Sequence, residues 1–477
     1  MMSEPKRLHP ISAVVNCLKQ FKELMIPFLV FVVFGSKNGL FQLLISVGVI
    51  VIVLATGILS WLRYSYRLEE GELRIEYGVF IRKKRYIPFE RIQSLDLSEG
   101  VLQRPFGLVR MKVETAGSSG MGEAEAVLTA ISKDEANFIQ QTLFSAKNAD
   151  RDIGGEPPEK EVPEDFLYKI SPGELLLLAS TSGGAGVVLS AVFAFVFQFE
   201  ELIPYERVFS GLQGFISNGV IFISILVFIG FLIAWVIALV GTMVRYAGFT
   251  VKKIGDDLII SSGLLEKRQL TLPLHRIQAI RVSENLIRQP LGLSTVFIES
   301  AGGSAQNNES ARVMILPIIK KNRIAEVLSP YLMDYSLETA VFPAPKRVLK
   351  RYLLRGTIMV LPVIAVPVLF FRPWGYLALL LLIPSAILSY LKFKDAGWMM
   401  NNQQLTLRYR TLIKNTVLMK KSRIQSLSIQ ESFFQSRKEL ATITAVVMSG
   451  SGGTGGTVVD LEKEEVYALY EWYSYTK

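Results

Sequence analysis

Five residues, Arg91-Ile92-Gln93-Ser94-Leu95, recur as Arg276-Ile277-Gln278-Ala279-Ile280 and again as Arg423-Ile424-Gln425-Ser426-Leu427. A chain that restates itself folds as an array of like units, so this signature limits the architecture before composition is considered. The agreement spreads outward: Glu99, Gln103, Pro105 and Gly107-Leu108 stand at the same offsets as Glu284, Arg288, Pro290 and Gly292-Leu293. The third copy keeps Glu431 and Gln435 and loses the proline and glycine. Apolar Ile92, Leu95 and Leu97 interleave with Gln93, Asp96 and Ser98, the alternation of a half-buried strand. The repeated unit is therefore β-rich.

Two apolar runs precede each copy. They are Leu24–Phe34 with Leu40–Leu62, Leu175–Phe199 with Val220–Val244, and Ile358–Phe371 with Tyr376–Leu391. Crossing a bilayer takes about 20 residues, so the first run spans only by borrowing from its flanks. No small-residue cleavage site follows it, and the segment reads as uncleaved. Behind each signature come further alternating strands, and in the first copy Ser132 with Glu135 caps a closing amphipathic helix. The predicted fold is six membrane α-helical spans in three hairpins plus three α+β domains. The expected boundaries are hairpins at 1–64, 174–245 and 337–391, β domains at 65–147, 246–336 and 392–477, and an acidic linker at 148–173. The second domain is expected to close with a helix from about Lys321 to Leu332, and Ser449–Gly456 to form a hairpin loop.

Composition agrees with a membrane protein: half of the 477 residues are apolar. The formal charge of +10 has no basic run interleaved with aromatics, which argues against nucleic acid. Cys17 is the lone cysteine and His9 and His275 the two histidines, so an intramolecular disulfide and the usual thiolate or imidazole metal sites are excluded. Basic residues gather at one end of the spans (Arg63, Arg67, Arg245, Lys252, Arg351, Lys392), placing the N-terminus and all three β domains on the cytoplasmic side of an inner membrane.

The string Arg91-Ile92-Gln93-Ser94, Gln103-Arg104-Pro105-Phe106-Gly107-Leu108 and Val113-Glu114-Thr115-Ala116-Gly117 resembles the motif of bacterial pleckstrin-homology-like membrane proteins of the second type. The second copy repeats it, and the third departs at Ser436-Arg437, where proline is expected. The resemblance implies a strongly bent β sandwich capped by a C-terminal helix. It implies no catalytic residue and no cofactor, and it points to a smaller single-domain relative as a candidate partner.

Candidate chemistry is sparse. The glycine stretches lack the Lys-Ser or Lys-Thr of a phosphate loop, and no nucleophile elbow or zinc helix is present. Arg91, Arg276 and Arg423, with Gln93, Gln278 and Gln425, are expected to be structural: each arginine either meets an acidic lipid headgroup or, the favoured reading, stands with Glu99, Glu284 or Glu431 for structural pairing or strand-end register. Lys83, Lys84 and Arg85, with Lys420 and Lys421, are the candidates for contact with an anionic membrane surface. The span interiors lack the ionisable group that ion-coupled transport requires. A non-enzymatic scaffold or lipid-binding platform in envelope maintenance is the favoured expectation, with a transporter of apolar compounds as the alternative. Reporter fusions after Gly120, Ala305 and Lys477 are expected to report cytoplasm, and periplasmic activity at any one contradicts the three-hairpin layout.

Overall fold

The computed structural model describes the chain except residues 1–4, 35–38, 70, 116–125, 150–164, 184–218, 302–311, 338–339, 372, 450–451 and 475–477. The first copy opens with β1 (Lys6–Arg7) and two 24-residue helices, α1 (Ile11–Phe34) and α2 (Gly39–Leu62). By starting at Ile11, α1 draws in the half-polar flank and reaches about 36 Å at 1.5 Å per residue. The helices approach closely where Gly57 meets Cys17: a Cβ there would lie 2.2 Å from the sulfur. There follow β2 (Ser65–Glu69), β3 (Glu72–Tyr77) and β4 (Lys83–Pro88), a 3-10 turn ending at Arg91, then β5 (Ile92–Glu99), β6 (Leu108–Thr115) and β7 (Ala126–Ser132). Helix α3 (Lys133–Ala149) closes the copy. The Ser132 hydroxyl accepts from the Glu135 N–H at 3.2 Å, as the capping pattern required. Leu73, Ile75, Ile87, Ile92, Met111, Leu128 and Ile139 fill the core with the alternating side chains of both half-sheets.

The second copy runs β8 (Asp165–Lys169), α4 (Pro172–Ser180), α5 (Gly219–Tyr246), then β9 (Thr250–Ile254), β10 (Asp257–Ser262), β11 (Lys267–Pro273), β12 (Ile277–Glu284), β13 (Leu293–Ser300), β14 (Arg312–Lys320) and α6 (Ile324–Leu328). The third runs β15 (Phe342–Pro343), α7 (Leu349–Phe370), α8 (Leu382–Asp395), β16 (Gly397–Asn401), β17 (Gln404–Arg410), β18 (Lys414–Lys420), β19 (Ile424–Gln430), β20 (Leu440–Ser449), β21 (Gly452–Glu462) and α9 (Lys463–Tyr473). Two expectations are corrected. The closing helix of the second copy is five residues rather than a run to Leu332, because Pro330 lacks an N–H and disfavours helix before it. The Gly-rich stretch from Gly452 is strand, not loop: a Cβ at Gly455 would meet the Ala445 carbonyl oxygen at 1.8 Å, so only glycine lets the two strands lie together there.

Among the described residues three helices are long and apolar enough to cross a membrane, Phe228–Tyr246, Lys346–Phe370 and Gly375–Asp395, and Val47–Leu62 is a shorter apolar helix. The expected third run, Leu175–Phe199, extends outside the described residues. Three of the six expected spans are thus met on these terms.

The sheets do not respect the copies. β5 pairs with β6 on one side and, on the other, with β11 of the following copy, Leu97 opposite Gln269. β12 does the same with β18, Arg281 opposite Val417. The chain accordingly forms two compact units. One holds residues 1–166, 251–276 and 301–311, the other 167–250, 277–300 and 312–477, and the second copy is cut between Arg276 and Ile277 inside its signature.

The second unit carries a buried ion pair on β12. Arg281 Nε lies 2.7 Å from Glu299 Oε1, with 3% and 1% of the two side chains exposed. Arg281 also donates to the Tyr409 hydroxyl at 2.7 Å and Thr454 Oγ1 at 3.0 Å, stitching the second copy to the third. Burial opposes its charge, but Glu299 and Tyr409 outweigh burial and hold its pKa above the ordinary value. Glu299→Gln should strip the guanidinium of its countercharge and cost about 3–5 kcal/mol. Arg281→Met combined with Glu299→Met should recover most of that loss, read as thermal unfolding of the detergent-solubilised protein by near-ultraviolet circular dichroism.

Candidate functional site

Arg91, Arg276 and Arg423 each end a 3-10 turn that leads into a strand, and the matching glutamates stand at the strand's far end. At about 3.3 Å per residue the two are roughly 26 Å apart, so the expected arginine–glutamate pair within one copy cannot form. The glutamates latch the strand end to the opening of the closing segment: Glu99 to Lys133 at 2.9 Å, Glu284 to Lys321 at 3.6 Å, Glu431 to Lys463 at 3.1 Å. Glu284 also meets Lys414 of the third copy at 3.3 Å, and burial depresses the Lys414 pKa against that attraction. Gln278 is buried and Gln425 exposed, while the Gln93 side chain lies outside the described part.

The two lysine clusters separate. Lys83, Lys84 and Arg85 lie on β4, an outer strand, with Lys83 and Lys84 exposed, Lys84 3.3 Å from Glu76, and Arg85 over the Tyr77 ring. Lys420 instead pairs with Asp334 at 2.6 Å and lies over Tyr335, and Lys421 donates to the Trp472 carbonyl and lies over its ring. Both precede β19, whereas the loop beyond β19 sits at the foot of α7, where Arg351 donates to the Phe434 carbonyl at 3.0 Å and Arg347 to that of Glu439 at 3.3 Å. Lys420 and Lys421 therefore occupy the end of the module away from the apolar helices.

The helix end carries an apolar rim. Phe433 and Phe434 are 65% and 70% exposed. Leu286 and Ile287, exposed at the same offset of the second copy, are held beside α4 by Asn285 Nδ2 donating to the Thr181 carbonyl at 2.9 Å and Arg288 Nε to its hydroxyl at 2.8 Å. In the first copy Phe80 is 91% exposed on a hairpin whose Val79 carbonyl accepts from Arg63, at the exit of α2, at 2.6 Å. The signal was in the sequence: two apolar residues follow the signature glutamate closely in each copy, Val101-Leu102, Leu286-Ile287 and Phe433-Phe434.

A cavity of about 1070 Å³ opens where the third helix pair meets its β module. One wall is the helix ends, with Tyr352, Arg355, Met359, Leu388, Ser389 and Lys392; the others are the Tyr409–Ile413 hairpin and the Gly453–Val459 stretch of β21. Asp460, fully buried at φ 59°, sits in a bulge and receives Arg355 at 2.7 Å, Arg351 at 3.2 Å and Gln435 at 2.8 Å. Tyr352 donates to the Val459 carbonyl at 2.8 Å. The lining combines cations from Arg355 and Lys392, the Thr444 and Thr457 hydroxyls 3.1 Å apart, and apolar Met359, Leu388, Leu412 and Val446. Such a chamber suits a molecule that is anionic at one end and apolar at the other. Among the described residues no cluster of three metal-ligating side chains is present.

With this geometry in hand, comparison with known proteins is informative. The model of the family described as Bacterial PH domain matches three times, over residues 24–147, 201–332 and 356–477. The whole chain is 39% identical to 99% of the UPF0699 transmembrane protein YdbT of Bacillus subtilis (strain 168). Over 91 residues, 19% of this chain and 54% of the relative, it is 26% identical to the UPF0699 transmembrane protein YdbS of the same organism. No solved structure matches. An environment-sensitive fluorophore on a cysteine at Phe434, with Cys17→Ser, should be quenched by brominated acyl chains in liposomes, whereas the same label at Lys420 should not; equal quenching would refute the assignment of the rim to the lipid side.

Proposed function

The chain belongs to the bacterial PH domain family, and from that premise we propose a multi-pass inner-membrane platform that presents its three PH-like modules to the cytoplasm and binds an anionic lipid headgroup at the third. The observation that carries this reading is the chamber between α7, α8 and β21. Its cations stand at the helix ends, the depth at which headgroup phosphates lie, and its apolar wall continues the helix surface. Lys83, Lys84 and Arg85 supplement it on the first module, each basic residue near an anionic surface contributing about 1 kcal/mol. The platform has no catalytic chemistry of its own; its work is to hold lipid, and a partner such as a smaller single-domain relative, in envelope maintenance.

The test uses the full chain in nanodiscs. Native mass spectrometry of protein released from mixed phosphatidylglycerol and phosphatidylcholine is expected to show anionic lipid retained in preference. Lys392→Gln, which leaves the Asp460 contacts in place, should cut that preference about fivefold, and adding Arg355→Gln should abolish it. Retention without headgroup preference, or a preference untouched by both changes, would overturn the proposal.

A further inference from the structure

The two internal junctions obey one register rule. Lys267, nine residues before Arg276, lies opposite Glu99, eight residues after Arg91. Lys414, nine before Arg423, lies opposite Glu284, eight after Arg276. The same rule names two further residues. Arg82 is nine before Arg91, at the mouth of β4, and Glu431 is eight after Arg423, just beyond β19. β4 pairs with β3 and β19 with β20, and in the described sheets each is an outermost strand. Along β19, Gln425, Ser426, Ser428 and Gln430 are exposed, whereas β12, with a neighbour on both sides, is buried at seven of its eight positions. Glu431 Oε1 is buried without a hydrogen-bond partner, its other oxygen held by Lys463; the counterpart Glu284 uses one oxygen for Lys321 and the other for Lys414.

We propose that β19 is a docking edge for β4 of a second copy of this chain, joined head to tail in the register of the internal junctions, with Arg82 of one copy opposite Glu431 of the other. Register and charge together select this combination. Two β4 edges repel through Lys83, Lys84 and Arg85, and two antiparallel β19 edges would set Glu431 toward Arg423, outside the register that both internal junctions share. The heterologous pairing keeps that register and sets Arg82 against Glu431, as Lys267 faces Glu99 and Lys414 faces Glu284. Arg82 is released at little cost, since its partner Glu76 also holds Lys84 at 3.3 Å. A heterologous contact of this kind builds rings or open rows, here within the plane of the membrane. The inference goes beyond the lipid-binding platform and does not depend on it.

In a Cys17→Ser background, chains carrying Arg85→Cys are co-reconstituted in liposomes with chains carrying Ser428→Cys, positions that the rule places directly opposite, and oxidised with copper phenanthroline. A disulfide-linked dimer is expected from the mixture and from neither chain alone, and Ile429→Cys in place of Ser428→Cys, one residue out of register, should not give it. Glu431→Arg should lower the yield about fivefold, and Arg82→Glu on the opposing chain should restore it. Absence of the dimer, equal yield at 429, or failure of the charge swap to rescue would each overturn the proposal.

Discussion

The backbone N–H and C=O groups along the outer sides of β5 and β12 need partners, and each strand finds them in the copy that follows it. A sandwich of the bent kind leaves its two half-sheets joined at one corner and open at the other, and an open edge is a liability. Pairing β5 with β11 and β12 with β18 satisfies both ladders and makes two seven-stranded surfaces, each from halves of three and four. Ionic contacts then reinforce hydrogen bonds that exist without them. Asp96 receives Arg268 at 2.8 Å across the first junction, and Arg281, Glu299 and Tyr409 form the buried centre of the second.

The modules are fastened to their helices by specific bonds rather than by the connecting backbone alone. Trp61 at the end of α2 donates to the Leu8 carbonyl at 2.7 Å, and Tyr64 to that of Val127 at 2.9 Å. In the third copy Tyr352 makes the matching bond to Val459, and Arg351 and Arg355 converge on Asp460. Arg288 does this for the second copy through Thr181 and the Leu178 carbonyl. A tilt of a helix is therefore transmitted to a sheet without a slack joint.

Much of this was legible in the residues. The three signatures, the alternation of β5, the cap at Ser132 and the triple family relationship all read correctly, because periodicity and capping are local and the sequence states them directly. Strand partners were not legible: alternation says which face of β5 is buried but not whether β4 or β11 lies beside it. The glycines at 453, 455 and 456 read as a loop for the same reason, since what forbids a side chain there is the neighbouring strand. The arginine–glutamate pairing failed because a strand separates the two, and the lysine latches answer to a helix start that only the fold brings near. The chamber is built from α7, α8, β17, β20 and β21, and no short motif encodes a space bounded by five elements.

The compact units part between Arg276 and Ile277, so that a boundary falls within the second repeated copy rather than between copies. A gene fragment trimmed at the apparent domain limits would encode two unmatched halves, each exposing the seam that its neighbour normally covers. Duplication of such a segment could be tolerated only in whole periods, and a shuffled or truncated descendant would inherit a sticky border unless another polypeptide supplied the complement.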